Sequence, residues 1–365
     1  MDITPSRFAS SVAESSNSSI RLLNHSDLSA KQSTRSGTRS SDGRVGGHAS
    51  EGASPAAAPS SPKSGASSSS SSSAPANKPK RRALSSKSAA VGTNLVKDVY
   101  EAGHLIPNAD LCPDLGENLK IVILVTSAPN HTDARMAIRQ TWGHFHRRRD
   151  IRIGFVVAVS SHPLVNEAIS AEQHVYGDLI QARFLDLYDH LTLKTVSMFE
   201  WVDSYCPRVP FMLKTDDDMF INVPLLLSQL EKQRHAKRSM FGRLARKWKP
   251  ERNAQSKYFV DKTQFKAAVY PNFLTGPAYL VTQDSVHDMY QQALNMTFLR
   301  VEDVFMTGVV AESVGVQRVH VNEFVNRRIA FNVCNVRKTI SVHMVKFYEQ
   351  FVLWEKLHDT RIRCK

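Results

Sequence analysis

The chain has 365 residues, with 47 Lys+Arg against 34 Asp+Glu and a formal charge of +13. Residues 1–97 hold 13 of the basic and 5 of the acidic residues, which leaves only +5 for everything after Lys97. The basic tail has a single aromatic, Phe8, among its charges, and a +5 domain makes a poor electrostatic partner for a polyanion, so nucleic acid is not the expected partner.

Residues 1–97 contain 28 serines, including an unbroken run from Ser67 to Ser73. Such a composition cannot bury enough apolar surface to offset its ordering entropy, and the segment is expected to be disordered and stem-like. The cluster Lys78-Pro79-Lys80-Arg81-Arg82 has the look of a nuclear or processing signal, but a solvated linker explains it more simply. No run is apolar and long enough to span a bilayer, and the first thirty residues lack a signal-peptide core. Taken literally, the chain begins as a cytosolic protein would; a secretory route would need an anchor upstream of Met1. The four cysteines, Cys112, Cys206, Cys334 and Cys364, form no CxxC pair, which argues against a zinc ribbon. Their even number suits disulfides, with three pairings open. Glycosylation sequons begin at Asn17, Asn24, Asn130 and Asn295 and are weak support for a secretory route.

From residue 98 to 365 a single α/β domain is expected. Leu119–Thr126 is a continuous apolar run, as a buried parallel strand requires. A helix over His131–Trp142 follows, stopped at Gly143. Ile151–Ser160 reads as a strand, Leu164–Tyr176 as a helix, Arg183–Leu187 as a short strand and Leu191–Tyr205 as a long helix. Phe211–Lys214 is a strand that runs into acids, and Pro224–Gln233 is the next helix. This order implies a mostly parallel sheet with helices on both faces. Beyond residue 240, Tyr279–Thr282 reads as a strand and Asp284–Leu294 and Asp303–Ser313 as helices, an acceptor-side layer on the same sheet.

Four constellations carry chemistry. In Lys214-Thr-Asp-Asp-Asp-Met-Phe-Ile-Asn222 an apolar strand ends in three carboxylates and then resumes. Three adjacent acids repel one another, so a divalent cation bridging a diphosphate fits better than a solvated acidic turn. Alternation puts Asp216 and Asp218 on one face and Asp217 on the other. Arg135 and Arg139, four apart, share a helix face and are candidates to clamp a phosphate, although an ordinary amphipathic helix would look the same. Glu302 and Asp303 enter an apolar helix and offer a general base, or merely complement the helix dipole. His343 lies in the apolar stretch Ile340–Val345, where a histidine is usually a hydrogen-bonded core residue; beside the aspartates it becomes a metal-ligand candidate.

Five blocks occur in order: LVTSAPNHTDARMAIRQTWG (124–143), FMLKTDDDMFINVPLLL (211–227), YPNFLTGPAYLVT (270–282), VEDVF (301–305) and SVHMVKFYEQFVLWEKL (341–357). Together they resemble the β1,3-galactosyltransferase/β1,3-N-acetylglucosaminyltransferase family, over roughly Leu119 to Cys364. The resemblance implies a GT-A fold and an inverting, single-displacement transfer from a UDP-sugar to a glycan acceptor. It maps the metal, Mn²⁺ with Mg²⁺ as the alternative, onto Asp218 and His343. Asp216, Asp217 and the loop at Gly276 then face the nucleotide sugar, with Asp303 as the base and Glu302 as the fallback. Where the family has a Gly-Gly pair, this chain has Gly276-Pro277. The family further implies a Golgi membrane protein with a lumenal catalytic domain, although no anchor is visible in this chain. Galactose and N-acetylglucosamine both remain open as the donor sugar, with VEDVF and the adjoining TGVVAE closer to the galactosyl branch. A reading of another class, an inactive domain behind a basic binding tail, predicts salt-sensitive binding that survives without residues 98–365.

Overall fold

Ile121–Thr126 is buried along its whole length. Ile121, Ile123 and Val125 pack into one apolar cluster, while Val122 and Leu124 pack into another. A strand with two apolar faces has to lie mid-sheet between two layers, and it does. The computed structural model describes residues 94–364; the serine-rich segment up to residue 93 lies outside the described residues.

The strands, in chain order, are β1 (His104–Ile106), β2 (Ile121–Thr126), β3 (Ile151–Val159), β4 (Leu179–Leu185), β5 (Phe211–Asp216), β6 (Phe220–Ile221), β7 (Ser239–Ala245), β8 (Phe273–Thr282), β9 (Gln317–His320) and β10 (Ser341–Val342). Eight form one sheet in the order β1-β4-β3-β2-β5-β8-β7-β9, and β10 pairs with β6. Strands β4, β3, β2 and β5 run parallel, whereas β8 is antiparallel to both β5 and β7. The sheet is therefore mixed but mostly parallel, with helices on both faces, as expected for a GT-A fold. The second half of the chain extends this same sheet.

The folded unit reaches further back than residue 98. Val96 is fully buried and its amide donates to the Met296 carbonyl at 2.9 Å, while Leu95 bridges Thr297. Residues 94–97 thus belong to the domain and not to the serine-rich segment, because an apolar side chain there docks onto the helix Val286–Leu294 and the turn after it.

Several elements differ from the sequence reading: β8 begins at Phe273, six residues before the expected Tyr279, and β7 and the helix Glu349–His358 have no counterpart in it. The fourth strand begins at Leu179, four residues early, since its amide is capped by the Gln173 side chain at 2.7 Å. The helix expected to reach Trp142 ends at Gln140, and a 3₁₀ stretch covers Trp142–Arg147. Gly143 permits that tightening: a Cβ there would meet the Ile138 carbonyl oxygen at 2.5 Å. The helix after Asp303 is wound as a π-helix over Val304–Val310. Thr307 sits in its wall and bonds outward to Leu274 of β8, both donating to the carbonyl at 2.9 Å and accepting from the amide at 2.8 Å. Such π segments recur at functional sites. Disulfides join Cys112 to Cys206 and Cys334 to Cys364.

The chain builds β2, β3 and β4 outward in one direction, then returns to place β5 on the other side of β2. That reversal is a topological switch point, and ligands of open α/β sheets bind beyond the strand ends there. Thr126 of β2 stands opposite Asp216 of β5 at this point.

Candidate active site

At the end of β5 the three aspartates diverge. Asp216 turns toward β8, where the Lys214 ammonium donates to its Oδ1 at 2.7 Å. Asp217 turns back toward β2: its amide donates to the Thr126 carbonyl at 3.1 Å, and its Oδ2 accepts from Ser127 Oγ at 2.8 Å and lies 2.9 Å from His131 Nδ1. Hydrogen bonding to Asp217 raises the pKa of His131. Asp218 points toward the C-terminal segment, where His343 Nε2 lies 3.2 Å from its Oδ2. The sequence keeps that turn in place through β6 and β10. Trp142 Nε1 and Gln350 Nε2 both donate to the Met219 carbonyl, at 3.1 and 3.0 Å, and Val345 donates to the Asp218 carbonyl at 2.9 Å.

Lys214 is the organising charge. It is almost wholly buried, yet its ammonium contacts Asp216 Oδ1, the Gly276 carbonyl at 2.8 Å and Glu302 Oε2 at 3.5 Å. Burial works to lower its pKa, but the carboxylates of Asp216 and Glu302 outweigh that and raise it. Burial likewise pushes Asp216 up to about 6, against the opposing pull of Lys214. Glu302 is further occupied by Tyr279, whose hydroxyl donates to Oε1 at 2.7 Å.

Asp303 is held differently. Its Oδ2 accepts from the Gly276 amide and its Oδ1 from the Val304 amide, both at 2.9 Å. Among the described residues no side chain donates to it. Burial and the neighbouring Glu302 carboxylate raise it to about 7, against the two amides and Lys214. The approach of β8 to this pair is close: a Cβ on Gly276 would meet Glu302 Oε2 at 3.2 Å and Asp303 Cβ at 3.3 Å. Pro277 is tolerated beside it because the β7–β8 register shifts between Gly242 and Leu244, and a bulge needs no ladder donor.

The acids and His343 are thus brought together with Gly276, whereas the two arginines are not. Arg135 is fully buried, and its guanidinium is consumed by Glu172, Ser127, Thr132 and the Ala128 and Pro129 carbonyls. Arg139 bonds Glu172 and Asp178 and stacks 4.0 Å from the Tyr176 ring. Arg135 has no nitrogen left for a phosphate, while Arg139 keeps only its buried Nη1 without a partner among the described residues. Spacing alone cannot distinguish a helix face that meets ligand from one that meets Glu172 on the next helix. What Arg135 does is fix the 127–132 loop, whose Ser127 and His131 hold Asp217.

Sequence reasoning also missed Lys214 and Lys194. Both leave a signal: a lysine inside an otherwise apolar element. Lys194, on the buried helix Leu191–Tyr205, donates to the Ser127 carbonyl at 2.9 Å and to Asp186 at 2.7 Å, which supports the same loop from below.

Asp218 and His343 are both partly accessible, and they pair a hard carboxylate oxygen with an imidazole nitrogen. Among the described residues no group of three or more His, Cys, Asp or Glu side chains is placed to hold a metal ion. A two-ligand set fits a divalent cation that draws its remaining ligands from a diphosphate and water. Among the described residues no helix is long and apolar enough to cross a membrane.

The galactosyltransferase family model matches residues 133–322. Human β-1,3-galactosyltransferase 5 is 33% identical over 246 residues, covering 66% of this chain and 79% of the relative. Mouse β-1,3-galactosyltransferase 1 is 29% identical over 248 residues, covering 67% of this chain and 76% of the relative. A solved galactosyltransferase, LgtC, aligns with 66% of this chain and 97% of its own at 11% identity and a TM-score of 0.35, too slight a likeness to argue from. On the family match and the human relative, the chain belongs to the galactosyltransferase family and is a hexosyltransferase that uses a nucleotide-sugar donor.

Proposed function

We propose that the protein is an inverting β1,3-galactosyltransferase moving galactose from UDP-galactose to the 3-hydroxyl of an acceptor sugar on a glycoprotein or glycolipid. The observation that carries the reading is the Lys214 ammonium, which joins the aspartate run and the Glu302-Asp303 pair in one site. The relatives named as β-1,3-galactosyltransferases support the donor sugar and the linkage.

Asp303 is the general base. Its carboxylate takes the proton of the acceptor hydroxyl as that oxygen attacks the anomeric carbon, and the bond to the UDP oxygen breaks with its electron pair leaving on the diphosphate. Attack from the face opposite the leaving group inverts the centre. Glu302 is a poor alternative base because Tyr279 and Lys214 occupy both of its oxygens. Asp216, anchored by Lys214, is positioned to accept from hydroxyls of the donor sugar, while Asp217 and the 127–132 loop shape the nucleotide side. Asp218 and His343 would hold Mn²⁺, with Mg²⁺ as the alternative; when bound, the ion supplies positive charge against the departing diphosphate. The two disulfides suit an oxidising lumen, which supports a Golgi site with the catalytic domain facing it.

The test is UDP binding by calorimetry with and without Mn²⁺, alongside transfer from UDP-galactose. Asp218→Asn should abolish Mn²⁺-dependent UDP binding together with transfer. A variant that keeps that binding, with more than about a tenth of the turnover, refutes the assignment.

A further inference from the structure

Arg300 lies three residues before Asp303 and ties together two loops distant in sequence. Its guanidinium pairs with Asp189, in the turn after β4, and donates to the Phe259 carbonyl at 3.4 Å, in the long connection between β7 and β8. Each anchor point is preceded by a tyrosine: Tyr188 before Asp189, Tyr258 before Phe259. Both tyrosines are 54% exposed. The Lys257 ammonium lies 4.8 Å from the Tyr258 ring centre. The Tyr188 hydroxyl is raised by its own partial burial, with Lys257 and Arg300 opposing and Tyr258 and Asp303 adding, so all four groups lie within electrostatic reach of it. Two half-exposed phenols, each next in sequence to a residue that one guanidinium holds, contribute little to the core and much to a surface that binds something.

We propose that Tyr188 and Tyr258 form the wall on which the acceptor sugar stacks, and that Arg300 is the positioning residue that holds them beside Asp303. The inference rests on the reading of Asp303 as the base and adds the residues that receive the acceptor. A pyranose has an apolar C–H face and a hydroxylated edge, and a phenol offers the matching pair, an apolar ring with a polar tip. An inverting transfer requires the acceptor to approach opposite the leaving diphosphate. The tyrosines answer to that position: the turns that carry them are anchored by Arg300, three residues before Asp303, whereas Asp218 and His343 are held by the β6–β10 segment.

The experiment uses the full chain with UDP-galactose and two neutral acceptors, methyl β-N-acetylglucosaminide and methyl β-galactoside, whichever the wild type uses better. Tyr188→Ala and Tyr258→Ala should raise the acceptor KM by about tenfold or more, with the donor KM and Mn²⁺-dependent UDP affinity within about twofold of wild type. Tyr258→Phe, which keeps the ring face, should restore most of the acceptor affinity. Arg300→Lys should raise the acceptor KM without lowering the melting temperature by more than a few degrees. Unchanged acceptor KM in both alanine variants overturns the proposal, and so does a rise in donor KM instead. Asp303→Asn is run in parallel: if it keeps full turnover, the underlying base assignment has failed. If it loses turnover while the alanine variants keep their acceptor KM, only the stacking wall has failed.

Discussion

Replacing Asp303 with asparagine isolates basicity from shape, and its consequences can be worked out from the two hydrogen bonds that hold the carboxylate. Each oxygen accepts one backbone N–H, from Gly276 and from Val304. An asparagine can satisfy only one of them and turns an NH₂ toward the other, at a cost of about 1–3 kcal/mol of stability for the donor left unpaired. Against this, removing the carboxylate removes its repulsion with Glu302, one of the two causes that raise it to about 7. The net stability change is therefore expected to be small, while the loss of a general base should lower kcat by about 10²–10⁴. The wild-type rate should fall as pH drops below about 7, since protonated Asp303 cannot accept the acceptor proton, and this limb should vanish in the variant. A folded-state carboxyl raised above its unfolded value favours the native state at acid pH. The contribution is complete below about pH 3.8, the ordinary aspartate value, and is lost as pH rises to about 7. The assay is steady-state transfer across pH 5–9, with calorimetric UDP affinity measured on the same preparation. Normal kcat with a lowered melting temperature would refute the base assignment and leave Asp303 as a helix cap alone.

Three further perturbations test the supporting residues. Lys214→Met leaves Asp216 and Glu302 without their counter-ion, Glu302 keeping only the Tyr279 hydroxyl, so the melting temperature should fall and transfer should be abolished even in the folded fraction. Arg135→Ala should destabilise by about 3–5 kcal/mol, because every donor it loses is buried; an undiminished melting temperature with a raised donor KM would restore it to the nucleotide site. Gly276→Ala introduces a Cβ at 3.2–3.4 Å from Glu302 and Asp303, and the displacement of a few tenths of an ångström it forces should lower kcat by about tenfold with UDP affinity unchanged.

Much of this architecture could be read along the chain, and several of the exceptions share a cause. Apolar runs such as Ile121–Thr126 and Ile151–Val159 announce buried parallel strands because nothing else accommodates apolar residues on both faces. The acids could be found because a run such as Asp216–Asp218 between apolar segments has few physical explanations. Short strands were harder: β1, β9 and β10 are two to four residues long and mixed in composition, so their pairing is decided by partners remote in sequence. The same limit misled the reading of Arg135 and Arg139. Their i,i+4 spacing correctly gave a shared helix face, but the face is set against Glu172, which local spacing cannot identify.

The position of Lys214 explains why the two acidic motifs work as one site. Its strand, β5, pairs with β8 so that Lys214 stands opposite Tyr279, and Tyr279 in turn bonds Glu302. Extended backbone points alternate residues the same way, so Lys214 and Asp216 share a face. The register of one antiparallel pair therefore places a single ammonium between the aspartate run at the end of β5 and the Glu302-Asp303 pair. A shift of one residue in that register would send Lys214 to the opposite face, leaving the acids to repel one another without a counter-ion. The ammonium is thus a registration device as well as a charge. The prediction for Lys214→Met follows from this: in the folded fraction the donor and acceptor halves should each retain their own residues but lose their alignment, so Mn²⁺-dependent UDP binding should weaken less than transfer does. Loss of both in proportion would show that Lys214 serves the nucleotide side alone.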